Sequence, residues 1–204
     1  MTVFTSGIGP RSAAHTAVDA AAQTWGMVRG QGGLRRNAVA VGLCGLLSPA
    51  LAVGDVLLYH DVRHSDRSPV TLDGPLTEWL AARLLPRAQS GIRALASDAI
   101  VTHALEKRTL GARHGADALD METFALAGPL QRAGVSLAAV RVGSDGAGDD
   151  LPDLDWALGA SGHIDARRLA LALLRKPRAG IALVRHAIVA LRALERAVYD
   201  IARP

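Results

Sequence analysis

The sequence predicts an α/β fold, a central sheet flanked by helices, on three observations. Apolar, strand-like runs alternate along the chain with longer segments of helical character. With 204 residues and 50% hydrophobic content the chain can bury a full core, and one domain over 1–204 is the default. Aromatic residues make up only 3%, so that core is filled by Ala, Val, Leu and Ile.

Taken in order, strands are predicted at 2–6, 38–43, 53–60, 92–97 and 135–142, each an apolar run bounded by turn residues. Helices are predicted at 11–25, 76–85, 103–113, 121–133, 164–174 and 179–201. Pro177 marks the break between the last two, because proline cannot continue the hydrogen bonding of a preceding helix. The uncharged run 37–54 approaches membrane-spanning length, but Gly42, Gly45, Ser48, Pro49 and Gly54 interrupt it. It reads as two buried strands joined by a ligand-lining loop in which glycines let backbone approach a ligand closely. Segments 65–74 and 143–155 are candidates for mobility, and the second could act as a lid.

The N-terminus lacks a basic region followed by an adequate apolar stretch, so no signal peptide is expected and the protein is assigned to the cytoplasm. A single cysteine, Cys44, excludes an internal disulfide and suits a reducing compartment. It reads as a small core residue before a nucleophile. Cysteine and histidine do not cluster at metal-binding spacing, and neither a metal nor a cofactor is called for.

Two segments carry chemistry. Asp120-Met121-Glu122-Thr123 precedes a helix, and Val140-Arg141-Val142-Gly143-Ser144-Asp145 ends a strand, placing Asp145 in a Gly-rich loop where open α/β sheets bind ligands. Cleaving an N-glycosidic bond needs hydrogen bonds at a sugar that becomes cation-like and a proton or hydrogen bond at the departing purine. A carboxyl group shielded from water, with raised pKa, supplies the second need, worth about two to four orders of magnitude in rate. Asp145 is assigned that role. Glu122 would accept hydrogen bonds from two ribose hydroxyls, and Met121 would pack its polarizable side chain on the sugar. Arg141 could orient a nucleophile or a ribose hydroxyl. Singly, Glu122 also fits a first-turn acid favoured by the helix dipole, Asp145 a turn former, and Arg141 a structural ion-pair partner.

Four blocks in this order resemble the purine nucleoside phosphorylase and nucleosidase superfamily, which includes the methylthioadenosine/S-adenosylhomocysteine nucleosidases. They are Ser6-Gly7-Ile8-Gly9-Pro10 with the Ala-rich segment after it, and Val39-Ala40-Val41-Gly42-Leu43-Cys44-Gly45-Leu46 with Leu51-Ala52-Val53-Gly54-Asp55-Val56. Ser97-Asp98-Ala99-Ile100-Val101 and the two acid-bearing segments complete the set. The resemblance implies a three-layer fold with a central mixed sheet, a purine contacted by the backbone at Ile100 and Val101, and a pocket lined by Gly42, Cys44, Gly45 and Ser144. It also implies self-association, because the superfamily often completes its pockets with neighbouring subunits.

Two departures bear on mechanism. The family's opening strand, with an acid that orients the attacking water, has no counterpart before Ser6, leaving a misassigned start, another supplier of that role, or an impaired protein. Its absence would bare a sheet edge. Where phosphorylases carry an Arg and a Ser for phosphate, Ala40 and Leu43 stand here, which favours water as the attacking group.

Leu173-Leu174-Arg175-Lys176-Pro177-Arg178, Glu106-Lys107 after Val101-Thr102-His103-Ala104, and Leu151-Pro152 look like the hopanoid-associated phosphorylase branch. That likeness implies removal of adenine from adenosylhopane. The alternative is a noncatalytic nucleoside- or lipid-binding relative.

The net charge of +4 is uneven. At about 100° per residue, Arg178, Arg185, Arg192, Arg196 and Arg203 fall on one line of the last helix, with Leu183, Leu191, Leu194, Val198 and Ile201 broadly opposite. The stripe reads either as solvated arginines above a docked apolar back, or as a contact for anionic lipid at the inner membrane face. Nucleic acid is not expected as a partner, since base-stacking aromatics are scarce.

Overall fold

The computed structural model describes residues 28–30, 33–84, 86–152 and 166–203. The predicted strand 2–6, the helix 11–25 and the Ser6-to-Pro10 turn lie outside the described residues.

The strands are β1 (Val28–Gly30), β2 (Gly33–Leu46), β3 (Val56–Arg63), β4 (Val70–Thr71), β5 (Ala88–Ala96), β6 (Ala118–Asp120) and β7 (Val135–Asp145). The helices are α1 (Gly74–Leu84), α2 (Ala104–His114), α3 (Thr123–Arg132), α4 (Ala166–Arg175) and α5 (Pro177–Ala202). All seven strands belong to one sheet. β2 runs parallel to β7, β7 antiparallel to β3, β3 parallel to β5, β5 parallel to β6, and β6 antiparallel to β2. The mixed sheet therefore closes on itself, with β1 folded back on β2 and β4 on β3 as additions to the ring.

A closed sheet packed on both sides requires strands apolar at successive positions rather than alternately. β3 and β7 meet that requirement. Leu57, Tyr59, Leu137 and Ala139 join a core with Ala127 and Leu130 of α3. Their neighbours Val56, Leu58, Ala138, Val140 and Val142 pack instead against Leu80 and Leu84 of α1 and Ala190 and Ala197 of α5. A third cluster, Leu47, Leu95, Val101, Ala116 and Leu119, is covered by Leu110 of α2.

The differences from prediction have local causes. β3 begins at Val56 because residues before it form a turn in which Asp55 N donates to Ala52 O and Ala52 N to Asp55 Oδ2. α1 begins two residues early because Asp73 Oδ1 accepts from Leu76 N and caps it. Three short strands, β1, β4 and β6, escaped prediction because two or three residues carry no detectable period. Among the described residues, β2 has no partner over 37–44 on the side away from β7.

Segment 143–155 does not form a free lid where it is described. Residues 143–145 belong to β7, Gly146 N donates to Asp149 Oδ2, and Leu151 N donates to Thr102 O. In 65–74, β4 is paired to β3 and Leu72 is buried.

The last helix also differs from its sequence picture. Ala190 and Ala197 form its buried line, with Leu194 and Ile201 beside them. Leu191 and Val198, placed on the docked back by sequence, are exposed, and they continue a strip formed by Ile181, Val184 and Ile188. Small alanines seat α5 close to the sheet, so the docked face is narrow and the flanking apolar side chains stay outside.

Candidate active site

The parallel pairing of β2 with β7 sets Gly42 opposite Arg141 and Gly45 opposite Asp145, with an irregularity between Cys44 and Gly45. Both glycines serve charged side chains. A Cβ on Gly42 would collide with Arg141 Nη1, and one on Gly45 would lie 3.3 Å from Asp145 Oδ2. On the side where a Cβ would project from Gly42, the space is taken by the Arg141 guanidinium.

Arg141 is buried and runs under the start of α3. Its Nε is 2.8 Å from Asp120 Oδ2, its Nη2 donates to Thr123 Oγ1 at 2.9 Å, and Nη2 lies 3.4 Å from Glu122 Oε2. Burial pulls the guanidinium down, but carboxylates, Asp120 above all, outweigh it and hold the group above its ordinary value. Arg141 is therefore placed to hold Glu122, through Nη2, beside the start of α3.

Asp120 organises the other side. Its Oδ1 accepts from Glu122 N at 2.9 Å and Thr123 N at 2.5 Å, and its Oδ2 accepts from Thr123 Oγ1 at 2.9 Å. It therefore caps α3, whose first turn begins at Thr123, while Glu122 occupies the N-cap position without using its side chain as a cap. Met121 and Glu122 are both half-buried.

At the end of β7, Asp145 is the last strand residue rather than a loop residue. Its Oδ1 accepts from Ser144 Oγ at 2.9 Å, and Ser144 Oγ also approaches Cys44 O at 3.0 Å. Its Oδ2 accepts from Lys107 Nζ at 2.5 Å. The carboxyl expected to be partly shielded from water is one half of a buried ion pair.

Cys44 sits between the two charged groups. Burial pushes its thiol up to about 12, and Tyr59, Asp120, Arg141 and Asp145 are the polar neighbours that act on it. Its side chain is buried. Val101 is likewise a core side chain, while Ile100 is half-buried at the end of a loop tied to β6 by Ser97 N donating to Asp120 O.

Sequence reasoning missed Asp120, Thr123 and Lys107 as members of this cluster. Asp120 carried a readable signal, an Asp at the head of a helix. Lys107 carried a weaker one, because it shares the buried face of α2 with Ala104 and Gly111. Two open hollows, one lined by His103, Arg108 and Asp150 and one by Thr71, Gln131 and Ser136, include neither Glu122 nor Asp145. The candidate site is therefore assigned on side-chain chemistry. Among the described residues no group of three or more His, Cys, Asp or Glu is placed to hold a metal ion.

The family model described as Phosphorylase superfamily matches residues 1–175. No curated protein matches the chain. Among solved structures, the chain is similar to the 5'-methylthioadenosine/S-adenosylhomocysteine nucleosidase of Helicobacter pylori, crystallised with butyl-thio-DADMe-Immucillin-A. That match has 16% identity, covers 96% of this chain and 78% of the other, and has a TM-score of 0.63. The S-adenosylhomocysteine nucleosidase of Streptococcus pyogenes matches at 16% identity, 96% and 75% coverage and a TM-score of 0.65. The futalosine hydrolase of Helicobacter pylori matches at 15% identity, 96% and 77% coverage and a TM-score of 0.62.

Proposed function

The chain belongs to the phosphorylase superfamily, and from that footing we propose that it hydrolyses the N-glycosidic bond of a purine nucleoside. The observation that carries the reading is the pair of held carboxylates flanking the Gly42-to-Gly45 stretch. Glu122 is fixed by the buried Arg141, and Asp145 by Lys107 and Ser144. Glu122 accepts hydrogen bonds from the ribose hydroxyls, with Met121 against the sugar. Asp145 faces the purine ring nitrogen that gains a proton as the bond breaks. Backbone at Ile100 and Val101 borders the base, and Ser144 holds the aspartate's orientation. Water is the attacking group, because Ala40 and Leu43 offer no side-chain donor to an oxyanion.

The substrate of choice is adenosylhopane, a nucleoside carried on a lipid. What supports a lipid-borne substrate is α5, where an exposed apolar strip of Ile181, Val184, Ile188 and Leu191 runs beside the exposed Arg185, Arg192 and Arg196. Such a surface suits peripheral contact with an anionic membrane. No helix among the described residues is long and apolar enough to cross one. Self-association, implied by family resemblance, would cover the same strip.

The test is adenine release from adenosine-type nucleosides and from adenosylhopane by the purified chain. Asp145→Asn should abolish release, and Glu122→Gln should lower it by about two orders of magnitude or more. Free ribose rather than ribose 1-phosphate should form even when phosphate is supplied. Undiminished release by Asp145→Asn removes the assigned acid. Ligands that raise the melting temperature without any turnover point instead to a binding protein.

A further inference from the structure

We propose that Lys107 is a positioning residue for this reaction, one that sets the protonation of Asp145 and through it the recognition and departure of the purine. The inference rests on the assignment of Asp145 to the base side of the site, but it adds a group from a different helix, distant in sequence, that the nucleoside does not touch.

Lys107 is 1% exposed on the inner face of α2. Its ammonium reaches three acceptors, Asp145 Oδ2 at 2.5 Å, Gly146 O at 3.2 Å and Asp149 O at 3.1 Å. A lysine ammonium has three hydrogens to donate, so this set satisfies it without water. Packing alone does not call for a lysine between Ala104 and Gly111, since burying an ammonium is costly and an apolar side chain would fill the space without that cost. What the lysine adds is charge at one oxygen of a carboxylate whose other oxygen is bound by Ser144.

Among the described residues, the groups that face this ammonium come from three elements. From β7 come Asp145 and Ser144. From the following loop comes Asp149, whose own carboxylate accepts from Gly146 N and pairs with His186 of α5 at 3.2 Å. Asp150 lies at the start of α2, with His103 near it. Among the described residues, Asp145 is the carboxylate in direct contact with Nζ.

The resting site therefore presents Asp145 as an acceptor. A base bearing a hydrogen on N7 suits it, whereas a base with a bare N7 is bound only when a proton is placed between the two. During cleavage the C1'–N9 bond breaks and its electron pair passes to the purine. N7 takes a proton from Asp145, which is supplied in turn by the Lys107 ammonium. The attacking water forms the C1'–O bond and loses one proton to solvent, and the amine of Lys107 recovers a proton from solvent.

The experiment compares the full chain with Lys107→Gln, which keeps a neutral donor, and Lys107→Arg, which keeps the charge. Binding is measured with 9-deazaadenosine, which carries a hydrogen on N7, and with 7-deazaadenosine, which has carbon there. Neither measurement needs turnover. The original chain should favour the 9-deaza compound by about tenfold, Lys107→Gln should lose most of that preference, and Lys107→Arg should retain part of it. With a cleavable nucleoside, kcat of Lys107→Gln should fall by about a hundredfold, within the range for general acid catalysis, with KM within a few-fold and the pH profile displaced. A folded Lys107→Gln protein that keeps the preference and the pH profile overturns the proposal and makes the lysine a tether. If Lys107→Gln does not fold, Lys107→Arg decides through its pH profile, and an unchanged profile overturns the proposal. A chain that never cleaves nucleosides yet shows the Lys107-dependent preference defeats the hydrolase reading and leaves the lysine's role standing. Binding of neither analogue counts against both.

Discussion

At the scale of single residues, the site is held by charges buried against one another. Asp120 and Arg141 are almost fully enclosed, at 1% and 5% exposed, and each is the other's closest countercharge. Removing one member strands the other, at a cost of about 3–5 kcal/mol. Arg141→Met should therefore lower the free energy of unfolding by that amount in urea titration. A change below about 1 kcal/mol would show that Asp120 is satisfied without it. Cys44 gives a pH prediction. Its folded thiol titrates near 12 against an ordinary value of 9.0, so the folded state keeps a proton that the unfolded chain releases. The stability linked to this thiol is full below pH 9 and declines as pH rises toward 12. Iodoacetamide at pH 9 should spare Cys44 in the native protein and modify it in urea. The acids Glu122 and Asp145 were legible in the sequence because each stands at the end of a recognisable element. Asp120 carried a local sign, an Asp at the head of a helix, but its pairing with Arg141 and that of Lys107 with Asp145 did not, because nothing local announces which charge a buried group will meet across the fold.

At the scale of elements, helices were read well and short strands poorly. α2 was predicted to within a residue at each end because its flanks, His103 before it and the left-handed Gly115 after it, mark its limits. β6 was invisible, although its three residues close the ring and carry Asp120 into place. α5 has more structure than a basic line with an apolar back. One face is docked through Ala190 and Ala197, one exposes Ile181 at 64% and Leu191 at 53%, and a third carries Arg185, Arg192 and Arg196. If this helix meets lipid, the protein should sediment with vesicles containing anionic phospholipid and not with neutral ones. Changing Arg185, Arg192 and Arg196 to Gln should weaken that binding by roughly 3 kcal/mol at low salt, on about 1 kcal/mol for each basic residue near the surface. Equal binding to neutral vesicles would refute the electrostatic part. A concentration-dependent rise in mass without vesicles would give the strip to a second copy.

For the whole molecule, alternating elements indicated the class of fold but not the closure, because pairing partners such as β2 and β7 lie nearly a hundred residues apart and leave no mark in either segment. Closure places β7 between two strands, with Val140, Arg141 and Val142 bonded into the ladder on both sides. Amide exchange should be slowest at these three residues and fastest in β1 and β4, which hang on the ring by one side. Fast exchange at Val140 under native conditions would contradict the closed arrangement. The same strand has a bearing on turnover. Arg141, which anchors the sugar-side carboxylate, and Asp145 are carried on one stiff rod, four positions and roughly 13 Å apart. An intact nucleoside is a bivalent guest on that rod, each half raising the effective concentration of the other. Severing it leaves two monovalent fragments, each free to dissociate on its own, so the cut that completes the reaction also loosens both products.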